Sequence, residues 1–369
     1  MKMPFLASLL LLSCITAQAA TSLAHLKVPS GFSISLFAED ITNAREMAIS
    51  ESGIVYVGSF RAGKVYALKD NDNNGVADQK WHLASDLKMP TGLAYKDGDL
   101  YVAAVNRILK FKNIEANLEN PKYEVFFDDL PKETHHGWKF LRFAPNGDLI
   151  IPVGAPCNIC EPPTDKHARI FSLNMKTKQL TELAKGVRNS VGFDFHPDSG
   201  ELWFSDNGGD MMGDDIPPDE INRISKPGLH FGYPYYHAGD IADPQFTKAA
   251  KGAKNKKLED YEPPMLKLGA HVAPLGIHFY LGKQFPQAYR KQLFVAEHGS
   301  WNRSKKSGYQ VGMITLDKSK VVSYQPFVTG FMKDEKTLGR PAAISELADG
   351  SLLISDDYAH RIYRVSYKK

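Results

Sequence analysis

A short phrase recurs six times along the chain and restricts its possible folds more than any other feature. Each copy is a turn, usually centred on glycine, that leads into a short alternating apolar run, and a second run ending near Arg-Ile or an equivalent follows. The copies are S-G-I-V-Y-V-G at 52, D-G-D-L-Y-V-A at 97, N-G-D-L-I-I-P at 146, S-G-E-L-W-F-S at 199, K-Q-L-F-V-A-E at 291 and D-G-S-L-L-I-S at 349. The second runs occupy 64–68, 107–111, 169–173, 220–224, 311–314 and 361–365.

Asp-Gly and Asn-Gly between apolar runs are strong signals for a β-hairpin. The copies are spaced by roughly 45 to 60 residues, which suits four-stranded propeller blades. One gap of about 90 residues is longer and contains 226–268, which we interpret as an insertion. A pair of β-sandwiches would not produce six equivalent copies. The pattern therefore predicts an all-β protein, a single six-bladed β-propeller over 20–369 with almost no helix.

The first 19 residues have the features of a secretory signal peptide. Lys2 precedes a short apolar run, and Ala17-Gln18-Ala19 fits a cleavage site after Ala19. An alternative interpretation is a lipoprotein with its lipid on Cys14. No segment is apolar and long enough to predict a transmembrane helix. We therefore expect a periplasmic or secreted protein.

Cleavage after Ala19 leaves two cysteines, Cys157 and Cys160. In an exported chain a C-x-x-C pair most simply forms a local disulfide. Glu161 stands where covalent haem attachment would need histidine, and two thiolates are too few for a structural zinc site. The formal charge of +3 also argues against a nucleic-acid partner, which would require a concentrated basic face.

Cations and histidines recur at one position of the repeat. In a propeller we expect the residues just after the inner strand of each blade to gather around the central channel. Arginine binds carboxylates through two parallel hydrogen bonds, and histidine can act as a general base near neutral pH. If His135 and His136 lie on a strand, only one of them faces the channel. The candidates are Arg45, His135, His136, Lys139, Arg188, Asn189, His271, His298, Arg303 and Arg340.

The block 186–222 combines an Arg-Asn pair with a loop rich in carboxylates and glycines. Arg188 is a fixed positive charge suited to a carboxylate or phosphate. The loop supplies hard oxygen atoms of the kind that calcium prefers. We therefore expect an anionic ligand and a cation here, with oxygen ligands drawn from Asp206, Asn207, Asp210, Asp214, Asp215, Asp219 and Glu220.

A second cation site is predicted at 70–78. Oxygen ligands at positions one, three, five and nine, with Gly75 at six, match the front of an EF-hand loop. Trp81 replaces the usual glutamate at position twelve. We interpret the segment as a structural calcium loop between the first and second blades, and the alternative is a connection rich in Asx turns without metal. The ligands would be Asp70, Asp72, Asn74 and Asp78.

Four segments resemble the glucose/sorbosone dehydrogenase family, whose members are exported six-bladed propellers that use pyrroloquinoline quinone (PQQ) and calcium. These segments are H-H-G-W-K before F-A-P-N-G-D-L, G-V-R-N-S-V-G-F with the following S-D-N-G-G and D-E-I-N, V-A-P-L-G-I-H-F-Y, and G-R-P-A near the end. The run V-G-A-P-C-N-I-C-E is most similar to the sorbosone dehydrogenase-like branch, which includes fungal PQQ-dependent pyranose dehydrogenases.

The resemblance implies oxidation of a sugar, aldose or related alcohol by hydride transfer to PQQ, with electrons passed on to a soluble acceptor or cytochrome. It places the general base on His136, with His135 as the alternative. It also implies cofactor contacts from Arg188, Asn189 and Arg340, and calcium contacts from the backbone of Gly208 and Gly209 and from Asp219. Two alternatives stay open: a calcium-dependent lactonase or esterase, which should have fewer arginines, and a non-catalytic propeller that binds glycans or proteins.

Overall fold

The computed structural model describes residues 23–246 and 257–368. The predicted signal peptide and the alternative lipid-attachment site, Cys14, lie outside the described residues. No helix among the described residues is long and apolar enough to cross a bilayer.

Strands form nearly all the regular structure of the described residues. In chain order they are β1 (Phe32–Ala38), β2 (Ala44–Ile49), β3 (Val55–Ser59), β4 (Val65–Lys69), β5 (Gln79–Ala84), β6 (Gly92–Lys96), β7 (Asp99–Ala104), β8 (Arg107–Phe111), β9 (Tyr123–Phe127), β10 (Arg142–Phe143), β11 (Leu149–Val153), β12 (Arg169–Leu173), β13 (Leu180–Lys185), β14 (Phe193–Phe195), β15 (Leu202–Asp206), β16 (Pro218–Ile224), β17 (Leu229–His230), β18 (Tyr236–His237), β19 (Ile241–Ala242), β20 (Leu266–Ala270), β21 (Pro274–Phe279), β22 (Leu293–Glu297), β23 (Gln310–Asp317), β24 (Lys320–Val328), β25 (Met332–Lys333), β26 (Lys336–Thr337), β27 (Pro341–Glu346), β28 (Leu352–Asp356) and β29 (Arg361–Tyr367). Short 3₁₀ helices occur at Ile114–Asn117, Leu258–Asp260 and Gln287–Tyr289.

These strands form six antiparallel blades, which confirms the predicted six-bladed propeller. Blade 1 contains β2 to β5, blade 2 contains β6 to β9, and blade 3 contains β10 to β13. Blade 4 contains β14, β15, β16 and β20, and blade 5 contains β21 to β24. Blade 6 contains β27, β28 and β29, and its outer strand is β1 from the start of the chain. The pairs β18–β19 and β25–β26 form small separate ribbons.

The apolar core lies between the blades. Neighbouring blades are joined by separate buried clusters, and successive residues of a strand contribute to different clusters because they point to opposite faces of the sheet. In β15, Leu202 and Phe204 pack toward blade 3 with Ile150, whereas Trp203 packs toward blade 5 with Ile277. The middle strands are therefore buried on both faces. The predicted alternation is wrong for these strands, which are continuous apolar runs because neither face is exposed to water.

The repeated turns form the predicted hairpins between the first and second strands of each blade. Five copies place glycine at a backbone φ between 71° and 88°, a region that costs glycine little. In the fifth copy Lys291 takes this position with a φ of 61°. The glycines are Gly53, Gly98, Gly147, Gly200 and Gly350.

The ring is closed by pairing the two ends of the chain. Strand β1 runs antiparallel to β29, with Phe32 opposite Tyr367 and Leu36 opposite Tyr363. The ring of Phe32 also packs edge-on against Phe285, with a centroid distance of 4.8 Å. Blade 6 is thus complete only when both ends of the chain are in place.

The predicted insertion at 226–268 is wrong at its end, because Leu266–Ala270 is the outer strand of blade 4. Within the insertion, β17 pairs in parallel with β13 and so widens blade 3. Backbone hydrogen bonds hold this part of the insertion against blade 3, for example the one from the Tyr233 N–H to the Gly186 carbonyl, at 3.1 Å. Residues 247–256, in the same segment, lie outside the described residues.

Charged side chains of the inner strands surround one end of the channel, where a cavity of about 300 Å³ opens. Arg142 of blade 3 pairs with Asp194 of blade 4. His278 of blade 5 lies between two carboxylates: its Nδ1 is 3.0 Å from Asp194, and its Nε2 is 3.3 Å from Glu346 of blade 6. These contacts link four consecutive blades.

The remaining blades are linked at the same end. The carboxylate of Glu46 in blade 1 accepts the N–H of Leu93 in blade 2 at 2.7 Å and of Leu141 in blade 3 at 3.0 Å. Ser345 of blade 6 donates to the carbonyl of Met47 in blade 1 at 3.1 Å. Polar contacts between inner strands therefore form a complete circuit around the channel, which we call the polar ring.

We expect His278→Ala to lower the free energy of unfolding by about 3 kcal/mol, because it leaves the buried Asp194 and the half-buried Glu346 without their shared partner. Burial alone lowers the pKa of His278, but its hydrogen bonds to Asp194 and Glu346 outweigh burial and raise it. The stabilisation is therefore fully present below about pH 6.5 and is lost as the pH rises through the raised pKa.

Urea denaturation at about pH 6 and about pH 9 measures this effect. The loss caused by His278→Ala should be smaller at the higher pH. His82→Ala, on the exposed outer strand of blade 1, is the control and should change stability by less than about 1 kcal/mol. An equal loss at both pH values would contradict the role of the histidine charge.

Candidate functional site

The larger cavity opens at the opposite end of the channel and has a volume of about 620 Å³. Its walls come mainly from residues at the start of first strands and after the end of second strands. We expected the cavity residues to lie just after the inner strand of each blade, and this prediction is wrong. The inner strand ends at the polar ring, and the antiparallel second strand brings the chain back to this cavity. The lining residues are Arg45, Phe60, Arg61, Met89, Thr134, His135, His136, Trp138, Arg188, Asn189, Asn207, Gly208, Asp210, Asp219, His271, Ala273, Leu275, His298, Gly299, Trp301 and Arg340.

His135 and His136 both line the cavity. They lie in a turn before β10, with ring centroids 4.1 Å apart, and not on a strand. The expectation that only one could face the channel assumed strand geometry and is wrong for this reason. His136 has a φ of 48°, a left-handed conformation that is uncommon for a residue other than glycine. His135 is exposed, whereas His136 is buried.

The hydrogen bond of His136 defines which nitrogen is available to a ligand. Its Nδ1 lies 2.9 Å from the carbonyl oxygen of Ala155. Because a carbonyl only accepts, Nδ1 carries the proton and Nε2 keeps its lone pair. Burial, followed by the positive charge of Arg188 and the effect of His135, lowers the pKa of His136 well below its usual value. His136 is therefore a neutral imidazole at neutral pH, with an acceptor nitrogen at a ligand-sized cavity.

Arg45 and His298 share one carboxylate on another wall. Asp357 lies 2.8 Å from Arg45 Nε, and its other oxygen accepts from His298 Nε2 at 2.8 Å. Burial lowers the pKa of His298 to about 4, and this effect exceeds the opposing effect of Asp357. The terminal nitrogens of Arg45 make no hydrogen bond to any residue in the described part of the chain. Arg45 therefore has its orientation fixed and donors to spare for a ligand.

Two further arginines line the cavity. Arg340 donates from Nε to the carbonyl of His298 at 3.0 Å and from a terminal nitrogen to Gly299. Its second terminal nitrogen makes no hydrogen bond to a described residue. Arg61, which follows β3, is exposed and lies over Phe60, with its guanidinium carbon 5.5 Å from the ring centroid. The cavity thus has an excess of cationic donors on its walls.

Arg188 is the most constrained arginine of the cavity. Four of its five N–H groups are already used by the protein. Nε donates to the carbonyl of Asn158 at 2.8 Å and Nη1 to that of Asn207 at 3.0 Å, while Nη2 donates to the side chains of Asn158 at 2.7 Å and Asp210 at 2.9 Å. The sequence suggested a free clamp for an anion. The structure leaves Arg188 a single N–H for that purpose.

Asp206 fixes the turn that carries Arg188 and Asn189. One oxygen accepts the backbone N–H of Arg188 at 2.8 Å, and the other accepts that of Asn189 at 2.6 Å. Burial raises the pKa of Asp206 to about 7. The side-chain amide of Asn189 lines the cavity and makes no hydrogen bond to a residue that the structure describes.

Asp219 has the same role on the neighbouring wall. Its two oxygens accept the backbone N–H groups of Gly208 and Ala273, both at 2.7 Å. Burial raises the pKa of Asp219 to about 6. The structure therefore brings Asp219 and the Gly208 backbone together at the cavity, as expected, and the carboxylate also joins blade 4 to blade 5.

Two residues predicted as cation contacts lie away from the cavity wall. Glu220 accepts the N–H of Ala238 at 2.6 Å and the side-chain N–H of Asn222 at 2.9 Å, so it supports the insertion instead. Gly209 packs beside Ile159, where an added Cβ would lie 2.9 Å from that side chain. Neither is among the lining residues.

Two predicted cofactor contacts are also directed elsewhere. Lys139 is fully buried and donates to the carbonyl of Gly137 at 2.5 Å, and burial lowers its pKa to about 7. Arg303 donates to the carbonyl of Asp214 and to the carboxylate of Asp215, both at 2.9 Å. Lys139 supports the histidine turn from below, and Arg303 holds a surface loop.

His271 lines the cavity as expected, with a φ of 62°. Its Nε2 donates to the carbonyl of Gly213 at 2.7 Å, and its Nδ1 lies 4.0 Å from Asp210. The contacts of His271 therefore fix the loop that leads from Gly208 to Gly213.

Several lining residues were missed by the sequence interpretation. Phe60 and Arg61 follow β3 in the same way that His298 follows β22, so the repeat itself contained the signal. Trp138 packs edge-on against Phe60, with centroids 5.3 Å apart. The side chain of Trp301 is 68% exposed at the rim of the cavity. Aromatic faces therefore accompany the arginines.

The cavity suits the cofactor that the resemblance implies. A volume near 620 Å³ is in the usual range for ligand sites, and PQQ is a flat tricarboxylate that matches aromatic walls and arginine donors. For calcium, the wall near Gly208 offers backbone oxygens and the carboxylates of Asp210 and Asp219, which are hard oxygen ligands. Within the described residues this wall has no cluster of three ligating side chains. A cation here would therefore also need oxygens from the cofactor or from water.

The predicted calcium loop brings three carboxylates together. Ligand atoms of Asp70, Asp72 and Asp78 all lie within 4.8 Å of one another. Backbone N–H groups also donate to these oxygens, for example from Gly75 to Asp70 at 2.8 Å, as in Asx turns. The loop connects β4 and β5 inside blade 1, so its predicted position between blades 1 and 2 is wrong. The Ala77 N–H donates to the Phe37 carbonyl of β1 at 2.8 Å, which places the loop beside the strand that closes the ring.

Cys157 and Cys160 form the predicted disulfide. It closes a short loop that follows blade 3 strand β11, and Asn158 lies inside this loop. Its contacts with Arg188 place the loop behind the cavity wall.

The chain matches the TrAA12-like family model over residues 26–366. It is 39% identical to an uncharacterized protein of Borreliella burgdorferi over 378 aligned residues, which cover 98% of this chain and 96% of the relative. It is also 24% identical to a pyrroloquinoline quinone-dependent sugar dehydrogenase of Hypocrea jecorina, over 72% of this chain and 74% of that enzyme.

Solved structures share the fold. The calcium structure of a Trichoderma reesei family AA12 carbohydrate-active enzyme superimposes with a TM-score of 0.80 at 20% identity, and the match covers 93% of this chain and 97% of that one. The holo form of the pyranose dehydrogenase PQQ domain from Coprinopsis cinerea gives a TM-score of 0.77 at 17% identity, with 92% and 97% covered.

We expect Asp72→Ala to reduce the bound calcium by about one ion per chain and to lower the melting temperature, because the loop supports the closing strand β1. Metal analysis after dialysis and thermal melts with and without a chelator measure the two effects. The exposed Asp128, outside the loop, provides the control Asp128→Ala. Unchanged calcium content and unchanged thermal stability in Asp72→Ala would favour the metal-free Asx-turn connection.

Proposed function

Because the chain belongs to the TrAA12-like family, we propose that it is a PQQ-dependent oxidoreductase that oxidises a hydroxyl-bearing carbon of a sugar or related alcohol. The observation that carries this proposal is the state of His136. It is a neutral base with an unprotonated Nε2 beside a cavity that has several arginine donors. Such a cavity can accept a proton from a substrate hydroxyl at His136 and can bind an anionic cofactor through its arginines.

The cofactor carboxylates would be held by the arginines whose N–H groups are not used by the protein. Arg45 offers both terminal nitrogens, Arg340 offers one, and Arg61 lies at the mouth. Asn189 adds a side-chain amide, and Arg188 adds its single remaining N–H. Because Asp357 and backbone carbonyls already fix Arg45 and Arg340, little side-chain freedom is lost when an anion binds.

Calcium would be held at the Gly208 wall, with Asp210 and Asp219 nearby and further oxygens from the cofactor. When bound, calcium and PQQ supply a Lewis acid and a two-electron acceptor for the substrate hydride. Asp219 fixes the Gly208 backbone by accepting its N–H at 2.7 Å. The wall proposed to hold calcium is therefore positioned by contacts within the protein.

The protein supplies the base and orients it. The Ala155 carbonyl keeps the proton of His136 on Nδ1, so Nε2 is the atom that accepts the substrate hydroxyl proton. Arg188, fixed behind the histidine, opposes protonation of His136 in the resting state. The His136 side chain then accepts a single proton from the substrate hydroxyl during the reaction. The deprotonated substrate oxygen favours departure of hydride from the carbon that carries it.

The substrate would be a pyranose or similar sugar. The relatives named above include a sugar dehydrogenase and a pyranose dehydrogenase domain. The exposed ring of Trp301 offers an apolar face at the rim that a sugar ring can cover. We also propose that the protein is exported to the periplasm or secreted, and that its electrons pass to a soluble acceptor or cytochrome.

We expect the apo protein to bind PQQ in the presence of calcium and then to reduce a dye with aldoses. Arg45→Ala should raise the Kd of PQQ about 30-fold, because truncating one partner of a desolvated charge pair costs about 2 kcal/mol. Calorimetry measures Kd, and dye reduction over an aldose panel measures turnover. The control Arg290→Ala changes an exposed arginine in the turn between β21 and β22.

Two outcomes would argue against this assignment. Absence of PQQ binding by the wild-type protein would reject a quinoprotein. Hydrolysis of lactones by the PQQ-free protein would favour the lactonase alternative.

We expect His136→Gln to lower kcat at least about 100-fold while the Kd of PQQ changes little, because glutamine cannot accept the hydroxyl proton. In the wild type, activity should fall with acid only below about pH 6.5, since the pKa of His136 is lowered. Steady-state rates from about pH 5 to pH 8 measure this limb. A variant that retains wild-type turnover would transfer the role to His135 or exclude a histidine base.

A further inference from the structure

The side chain and carbonyl of Asn158 hold two residues of the cavity wall at once. Its carbonyl accepts Arg188 Nε at 2.8 Å, and its Oδ1 accepts Arg188 Nη2 at 2.7 Å. The same Oδ1 accepts the backbone N–H of Asp210 at 2.9 Å, while Nδ2 donates to the Asp210 carbonyl at 2.9 Å. Asn158 thus fixes the guanidinium of Arg188 and the backbone of Asp210 relative to each other.

Asn158 is itself held by the disulfide loop and by the insertion. The bond between Cys157 and Cys160 closes the loop on both sides of it. The Cys160 N–H donates to the hydroxyl of Tyr233 at 3.0 Å, and Tyr233 is buried. Ile159 packs in the same small cluster. The described part of the insertion therefore lies behind the wall and supports it, and it contributes no lining residue to the cavity.

The wall held in this way extends across the cavity. Asp210 lies 4.0 Å from His271, and the next N–H in the chain, that of Met211, donates to Asn302 of blade 5 at 2.7 Å. One side of the loop is thus fixed by Asn158 in blade 3, and the other side is fixed by blade 5. Gly208, the proposed calcium contact, lies at the start of this loop.

We propose that Asn158 is a positioning residue for the cofactor cavity, and that the Cys157–Cys160 disulfide keeps it in place. The identity of the ligand in this inference rests on the proposed function, but the positioning of Arg188 and Asp210 does not. Without the side chain of Asn158, Arg188 loses its hydrogen bond to Oδ1 and keeps the one to the backbone carbonyl of residue 158. The backbone of Asp210 loses both of its hydrogen bonds to the disulfide loop. The cofactor and its cation would then have to order this wall when they bind, which weakens binding.

Hydrogen exchange in the protein without cofactor tests the positioning directly. The Asp210 N–H donates to Asn158, so peptides over 206–213 should be protected in the wild type. Asn158→Ala should lose this protection, and so should wild-type protein whose disulfide has been reduced by a dithiol. Asn158→Asp keeps the acceptor for Arg188 and for the Asp210 N–H, and it should retain most of the protection. Unchanged exchange in Asn158→Ala would overturn the inference.

Calorimetric titration with PQQ and calcium tests the consequence for binding. The Kd of PQQ should rise about tenfold or more in Asn158→Ala and in the reduced wild type, with the rise largely reversed in Asn158→Asp. The control is Asn174→Ala, because Asn174 makes a comparable set of turn hydrogen bonds on the far side of blade 3. This control should lower the melting temperature without changing the Kd.

The two proposals fail in different ways. If wild-type protein binds PQQ and Asn158→Ala binds it equally well, the positioning role is wrong and the proposed function stands. If wild-type protein does not bind PQQ, the proposed function is wrong, and the exchange experiment alone decides the role of Asn158.

Discussion

Antiparallel pairing inside each blade is the constraint from which the arrangement of this protein follows. It returns the chain to the same end of the channel after every second strand, so the start of the first strand and the end of the second meet there in every blade. Side chains far apart in sequence, such as Arg45, His136 and His298, therefore line one cavity. The same pairing sends the intervening hairpins to the other end, where the polar ring joins the inner strands.

The polar residues at the two ends of the channel differ in how much of their hydrogen-bonding capacity is used by other groups of the protein. At the polar ring, charges such as Asp194 and His278 are matched with one another, which gives this end a structural role. At the cavity, Arg188 is nearly saturated by protein acceptors, whereas Arg45 retains both terminal nitrogens. Fixed but unsaturated donors are suited to binding an anion without large reorganisation. The functional distinction among arginines is thus one of remaining hydrogen-bonding capacity and not of charge.

The fold could be predicted almost completely from the sequence, because hairpin turns and apolar runs are local signals that repeat in register. The cavity was predicted less well. Which way a loop side chain points depends on backbone conformation outside the regular periods, and Lys139 and Arg303 were misplaced for that reason. The left-handed turn at His136 and the burial of Glu220 against the insertion likewise depend on contacts distant in sequence. From the sequence, Asn158 could be predicted only as a residue inside the disulfide loop, without a role at the cavity.

Ring closure has a consequence for how this chain reaches its native state. Strand β1 precedes all other strands of the propeller in the chain, yet its partner β29 follows all of them. Contacts between such distant segments form slowly, because loop-closure entropy must be overcome first. The strands of blades 1, 2, 3 and 5 follow one another in the chain and can pair as local hairpins during synthesis. In blade 4 the outer strand β20 follows the insertion, and in blade 6 the outer strand β1 comes from the opposite end of the propeller. An emerging chain therefore carries an unpaired β1 until β29 is available, and a truncation that removes β29 leaves that edge open permanently.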